Sequence, residues 1–168
     1  GRFAMDPEAL RAAIAQDLLR EGPRGSMWAA HQGADGVVTG WEERGPEWRG
    51  FATGGSKVLF RFGFKGAARI CVTEAAIDAM SLGAIEKARR DTLYVSTGGG
   101  WSPATDGAIR MLGERPDVRF VAATDANTQG EAFVARLREL AGELSCDFER
   151  LKPRAEDWNA MLKEGAIA

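Results

Sequence analysis

Side chains able to do acid, metal or phosphate chemistry gather in four short stretches, each following a run of apolar residues. In the first, Thr73-Glu74-Ala75-Ala76-Ile77-Asp78, two carboxylates stand four residues apart at the mouth of a helix, and they share one face if that helix begins by Glu74. Like charges at that spacing repel by roughly a few tenths of a kcal/mol unless a cation sits between them, and a helix N-terminus offsets part of this. Taken alone, the pair also suits two solvated acids favoured by a helix dipole. The second stretch is Ser96-Thr97-Gly98-Gly99-Gly100-Trp101-Ser102-Pro103. Without Cβ atoms, the N–H groups of Gly98, Gly99 and Gly100 can approach a phosphate closely. A ligand-free tight turn uses the same triplet equally well.

The third stretch, Thr124-Asp125-Ala126-Asn127-Thr128-Gln129-Gly130, offers oxygens at alternate positions beyond a strongly apolar run. That suits a hard cation such as Mg²⁺ (or Mn²⁺), which binds through one or two carboxylates and keeps several waters. Asn127 or Thr128 serves equally as a helix cap, which leaves a metal role for Asp125 open. In the fourth, Lys152-Pro153-Arg154-Ala155-Glu156-Asp157-Trp158-Asn159, the cations Lys152 and Arg154 beside Glu156, Asp157 and the amide Asn159 suit the orientation of a phosphate or a metal-bound water. A helix start with dipole-favoured acids is the plainer reading of the same residues.

A different patch lies upstream. From residue 44 to 69 the cations Arg44, Arg49, Lys57, Arg61, Lys65 and Arg69 face the single anion Glu47, with Trp48, Phe51, Phe60, Phe62 and Phe64 interleaved. The whole chain carries 22 lysines and arginines against 24 acids, a net charge of −2, so any attraction to nucleic acid must be local to such a stretch.

The elements that must position these groups are legible from periodicity. Asp6-Pro7 followed by Glu8, Leu10, Ile14, Leu18 and Leu19 predicts an amphipathic helix stopped by Gly22-Pro23. Residues 26–66 read as a small antiparallel β meander with strands at 27–31, 37–41, 48–52 and 58–62, separated by turns too short for parallel crossovers. From Arg69 onward, apolar runs at 70–72, 93–95, 118–123 and 148–151 alternate with helical segments at about 75–89, 103–114, 129–143 and 156–163. This alternation predicts a mostly parallel sheet flanked by helices, with 118–123 central because it is the longest apolar run. The expected organisation is an N-terminal helix plus β module over 5–66 and an α/β domain over 67–168. In such sheets the reactive groups belong beyond the carboxyl ends of the strands, where all four stretches fall.

At 168 residues the chain can bury a substantial core. No stretch approaches the roughly 20 apolar residues of a membrane span. The two cysteines, Cys71 and Cys146, sit in apolar runs and read as reduced thiols, which makes the cytoplasm the expected location.

Together, Glu74, Asp78, Asp125-Ala126-Asn127 and their order along the chain resemble the Toprim domain of bacterial primases, type IA and type II topoisomerases, OLD-type nucleases and RecR-type repair proteins. In that family a glutamate ends the first strand and a D-x-D motif ends the third. The segments 72–82, 96–101 and 156–159 look like the Toprim domains of bacterial plasmid and mobile-element proteins. The resemblance covers about residues 67–165 and implies a Rossmann-type fold with an Mg²⁺ site. It further implies Glu74 as acid or base, Asp125 as principal metal ligand, Asp78 and Asn127 as auxiliary ligands, and the 98–100 amides as a phosphate cradle. The family's second aspartate is Asn127 here, which removes one negative charge from the site.

The expected function is Mg²⁺-dependent chemistry on nucleic-acid phosphates, DNA above all: nicking, strand transfer or primer synthesis within a larger plasmid or mobile-element DNA-processing protein. The one tyrosine, Tyr94, lies inside an apolar run, so a topoisomerase nucleophile is lacking. Asn127 and the acidic net charge favour an alternative, a catalytically weak Toprim fold that docks nucleic acid or protein through the basic stretch. A third reading keeps an unrelated α/β enzyme that binds a nucleotide at the glycine loop.

Overall fold

A computed structural model of the chain describes residues 11, 13–87 and 89–167. Most of the predicted N-terminal helix, Asp6 to Leu10 included, lies outside them. Residues 13–15 are helical, but Leu19 is not: Leu19–Glu21 is strand β1, paired antiparallel with Met27–Gln32 (β2). The apolar side chains of Leu18 and Leu19 enter the core either way, which is why helical spacing alone misassigned them.

Strands β1, β2, Val38–Arg44 (β3) and Arg49–Phe51 (β4) form one antiparallel sheet in sequential order. The fourth predicted strand of the meander departs from it. Phe60–Gly63 (β5) crosses to the second sheet and pairs antiparallel with Thr92–Ser96 (β7), joined to the first sheet by a single bridge between Gln32 and Leu59. Its alternating burial gives the reason, since Phe60 and Phe62 insert into the core beneath the second sheet.

The second sheet has the order β5-β7-β6-β8-β9, where β6 is Arg69–Thr73, β8 is Arg119–Ala122 and β9 is Asp147–Arg150. All of its pairings except β5–β7 are parallel. Helices Ala76–Ile85 (α1), Pro103–Gly113 (α2), Thr128–Glu143 (α3) and Trp158–Ile167 (α4) follow the four parallel strands in turn. The predicted centre shifts by one place: β6 occupies the middle and β8 lies beside it, interior but not central.

Two apolar clusters cover the two faces. On one, Cys71, Tyr94 and Val121 pack with Ile77, Met80 and Leu82 of α1, Trp158 of α4, and Met27 and Ala29 of β2. On the other, Ile70, Val72, Phe120 and Ala122 pack with Ile109 and Leu112 of α2 and Val134, Leu137 and Leu140 of α3. Burial on both faces explains why the parallel strands read as continuous apolar runs. The antiparallel sheet thus lies on the α1 side, over the carboxyl ends of the strands. No helix among the described residues is long and apolar enough to cross a membrane.

Candidate functional site

Strands β6 and β8 are parallel neighbours in a register that sets Val72 beside Ala122, so the residues that leave their carboxyl ends meet. Glu74 follows β6 directly and is 8 % exposed. Its Oε2 accepts the main-chain N–H of Asp125 at 3.1 Å. The Asp125 carboxyl stands beside it with Oδ1 buried and unpaired. Burial first, then the charges of Asp78 and Glu74, push the Asp125 carboxyl up to about 8. A proton or a cation between these acids relieves the repulsion.

Helix α1 starts at Ala76 with an extended Ala75 as its N-cap, so Glu74 lies before it and only Asp78 is in its first turn; Asp78 is 4 % exposed and accepts the N–H of Asn159 at 3.0 Å. Burial and then the Asp157 carboxylate push Asp78 up to about 7, against the Asn159 hydrogen bond that pulls it down. Asp78 therefore ties α1 to the start of α4, beneath the floor of the site. Asn159 itself is buried, with its side-chain Oδ1 unpaired. Asp157 accepts from the N–H of Ala160 at 2.7 Å and so caps the same helix.

Asn127 is the N-cap of α3, where its Oδ1 accepts from the N–H of Gly130 at 2.8 Å. The start of α3 lies so close to the Asp125 carbonyl that a Cβ at Gly130 would collide with it, which leaves only glycine there. Arg150 holds this loop from the other side. Its guanidinium donates to the carbonyls of Ala122, Thr124, Leu151 and Asp125 and to Glu131 at 2.8 Å.

Above them opens a cleft of about 520 Å³, which Asp78, Asn159 and Arg150 support without lining. Glu74, Asp125, Asn127 and Asp157 form one wall together with Gly98 and Gly99. Both glycines have positive φ, +73° and +81°, a conformation that other residues rarely adopt. The opposite wall comes from the antiparallel sheet: Arg44 and Arg49 pair across β3 and β4, and the Lys57 stem lies against the glycine loop. Of the five upstream cations predicted to bind nucleic acid, these three face the cleft. Arg61 and Lys65 line a separate depression of about 230 Å³ under the 33–36 turn, where Arg61 donates to the Gly33 carbonyl at 3.3 Å. Lys152 and Arg154 are exposed and lie outside the cleft lining.

Two residues in the site carried no warning in the sequence. Glu42, on β3, lines the cleft and accepts from the N–H of Ala76 at 2.9 Å. His31, fully buried, accepts from the Val58 N–H through Nδ1, so its other nitrogen carries the proton and donates to Glu42 at 3.1 Å. Both lie on alternating strands, where neither a motif nor a periodicity distinguishes them from other polar positions. Arg150 was equally hidden within a strand.

As a donor set, Glu74 and Asp125 suit Mg²⁺: two carboxylates on rigid main-chain supports, one oxygen unpaired, and room for water in an open cleft. Among the described residues, no three His, Cys, Asp or Glu side chains form a ready metal cage.

Residues 71–162 match the family described as Toprim-like, and residues 4–68 match a family described as Protein of unknown function (DUF3991). The chain belongs to the Toprim-like family. No curated protein counts as a match to it. Among solved structures, it is similar to the primase fragment of the bacteriophage T7 primase-helicase protein at 19 % identity, with 97 % of this chain and 69 % of that one covered and a TM-score of 0.64. It is also similar to a DNA primase domain from Pseudomonas aeruginosa (18 % identity, 96 % and 57 % covered, TM-score 0.55). The DnaG primase catalytic domain bound to ssDNA gives a comparable likeness (17 % identity, 97 % and 59 % covered, TM-score 0.54). These likenesses establish a primase-like Toprim fold that includes the antiparallel sheet, and the chain spans less than two thirds of the last two domains.

Proposed function

We propose that this chain performs Mg²⁺-dependent chemistry on nucleic-acid phosphates, with residues 67–168 supplying the acidic wall and residues 5–66 the basic one. The observation that carries this reading is the unpaired, buried Asp125 oxygen beside Glu74 at the carboxyl ends of adjacent strands, facing Arg44, Arg49 and Lys57 across one cleft. Glu74 and Asp125 would hold the cation, which supplies charge stabilisation to a phosphoryl-transfer transition state. Glu74 is the acid or base, Asp78 supports it from below, and the Gly99 and Gly100 amides with Lys57 orient a phosphate, the Gly98 N–H being held by Ser96. Primer synthesis is favoured over nicking by the likeness to primase structures. The module acts on DNA in the cytoplasm, beside other domains of a larger plasmid or mobile-element protein, in keeping with the segments that resemble such proteins and with two unbridged thiols.

A second reading, a catalytically weak module that docks nucleic acid, is favoured by one observation: the Asn127 oxygen, in the place of the family's second aspartate, is engaged as a helix cap. Calorimetric Mg²⁺ titration together with nicking and primer-synthesis assays separates the two. Metal binding lost in Asp125→Asn, with turnover lowered about 100-fold or more in Glu74→Gln, supports the enzyme. Salt-sensitive DNA binding with neither metal uptake nor turnover supports the docking module.

A further inference from the structure

Helix α1 begins directly after Glu74, and its N-cap, Ala75, has no side chain with which to satisfy the helix's first N–H groups. The cap comes from the other sheet. Glu42 Oε1 accepts from the N–H of Ala76 at 2.9 Å, while Oε2 takes the His31 proton at 3.1 Å and the Ser96 hydroxyl at 3.5 Å. Ser96 Oγ in turn accepts from the N–H of Gly98 at 3.2 Å. The His31 ring packs beneath the same glycine, so closely that a Cβ there would sit 2.9 Å from the ring.

From these contacts we infer that Glu42 is a positioning residue, an N-cap supplied across the two sheets, which sets both the Glu74 loop and the glycine loop from the antiparallel sheet. The inference deepens the proposed Mg²⁺ site and rests on that reading for its consequence, though not for its geometry. A carboxylate is required at this point because donors face both of its oxygens. His31 Nδ1 is already accepting from Val58, so the ring cannot turn its proton away from Glu42. Glutamine offers a single oxygen and leaves one of the two donors unpaired. The negative charge also lies at the positive end of α1.

The test uses Glu42→Ala, Glu42→Gln, and Glu42→Ala combined with Ala75→Ser, whose hydroxyl reaches the second and third N–H groups of the helix but not the Ala76 N–H that Glu42 holds. The readouts are amide hydrogen exchange of residues 76–78, melting temperature, and Mg²⁺ affinity by calorimetry. Glu42→Ala is expected to speed exchange in that turn about fivefold, the effect of losing one cap, and to weaken Mg²⁺ binding by about the same factor. Glu42→Gln is expected to fall between alanine and wild type. Serine at 75 should recover part of both losses, slowing exchange at 77 and 78 more than at 76, while leaving His31 without its partner, so melting temperature recovers less than metal affinity does. Unchanged exchange in Glu42→Ala overturns the inference. So does faster exchange that serine corrects without any recovery of Mg²⁺ affinity, because Glu42 would then act through its charge alone. A wild-type chain that binds no Mg²⁺ removes the proposed function instead, and the exchange measurements still decide whether Glu42 is the cap.

Discussion

The two walls of the cleft are built on opposite principles. On the acidic wall, Glu74 and Asp125 are buried or half-buried, with Asp78 beneath them; the N–H groups of Asp125 and Asn159 donate to Glu74 and Asp78, and the Arg150 guanidinium holds the Asp125 carbonyl. On the basic wall, Arg49 is exposed, and Lys57 has an aromatic ring, Phe51, 5.8 Å from its ammonium but no carboxylate partner among the described residues. The raised carboxyls of Asp78 and Asp125 concentrate strain where a cation would relieve it, whereas the cations across the cleft contribute attraction that salt screens. Under the proposed function, chemistry falls to the parallel sheet and affinity to the antiparallel sheet with the Lys57 loop.

The largest expected effect separates the walls by pH. Asp78 and Asp125 are raised from an ordinary 3.8 to about 7 and about 8, so the folded chain keeps protons that the unfolded chain releases. Stability of the metal-free protein should therefore fall as pH rises from about 4 to about 8. Mg²⁺ must displace those protons, so its affinity should rise over the upper part of that range and binding should release protons. Melting curves at pH 6 and pH 9, with and without Mg²⁺, check this. Asp125→Asn should flatten the dependence and abolish the Mg²⁺ rescue, and a pH-independent melting temperature in the wild type would contradict the assignment.

A smaller effect divides the basic stretch itself. Lys57→Gln should weaken DNA binding at low salt and reduce the salt slope by about one counterion. Arg61→Gln, in the separate depression, should leave the slope near wild type and act instead on the 33–36 turn it holds. Equal losses in both variants, measured by fluorescence anisotropy over a salt series, would mean that the strand runs beyond the cleft.

Smallest is Asn127→Asp. Aspartate caps a helix as well as asparagine does, so stability should change by less than about 0.5 kcal/mol. The added charge on the cleft wall should strengthen Mg²⁺ binding several-fold. Calorimetry that finds no gain would assign position 127 to capping alone.

Much of this was legible in the chain itself. Alternating apolar runs and helical segments determined the parallel sheet, and chemistry beyond strand ends placed Glu74 and Asp125 in their loops and Asp78 at the start of a helix, because those patterns are local and span only a few residues each. Asn127 as a helix cap was readable for the same reason. Only the tertiary structure decided which loops meet. Val72 beside Ala122 brings Glu74 to Asp125, the departure of β5 splits Lys57 from Arg61, and the fold of one sheet over another delivers Glu42 to the N–H of Ala76, 34 residues away. Arg150 and His31 were hidden on the same ground. Their partners are main-chain groups and side chains distant in sequence, and no spacing along the chain encodes a contact that arises only when two sheets close on one another.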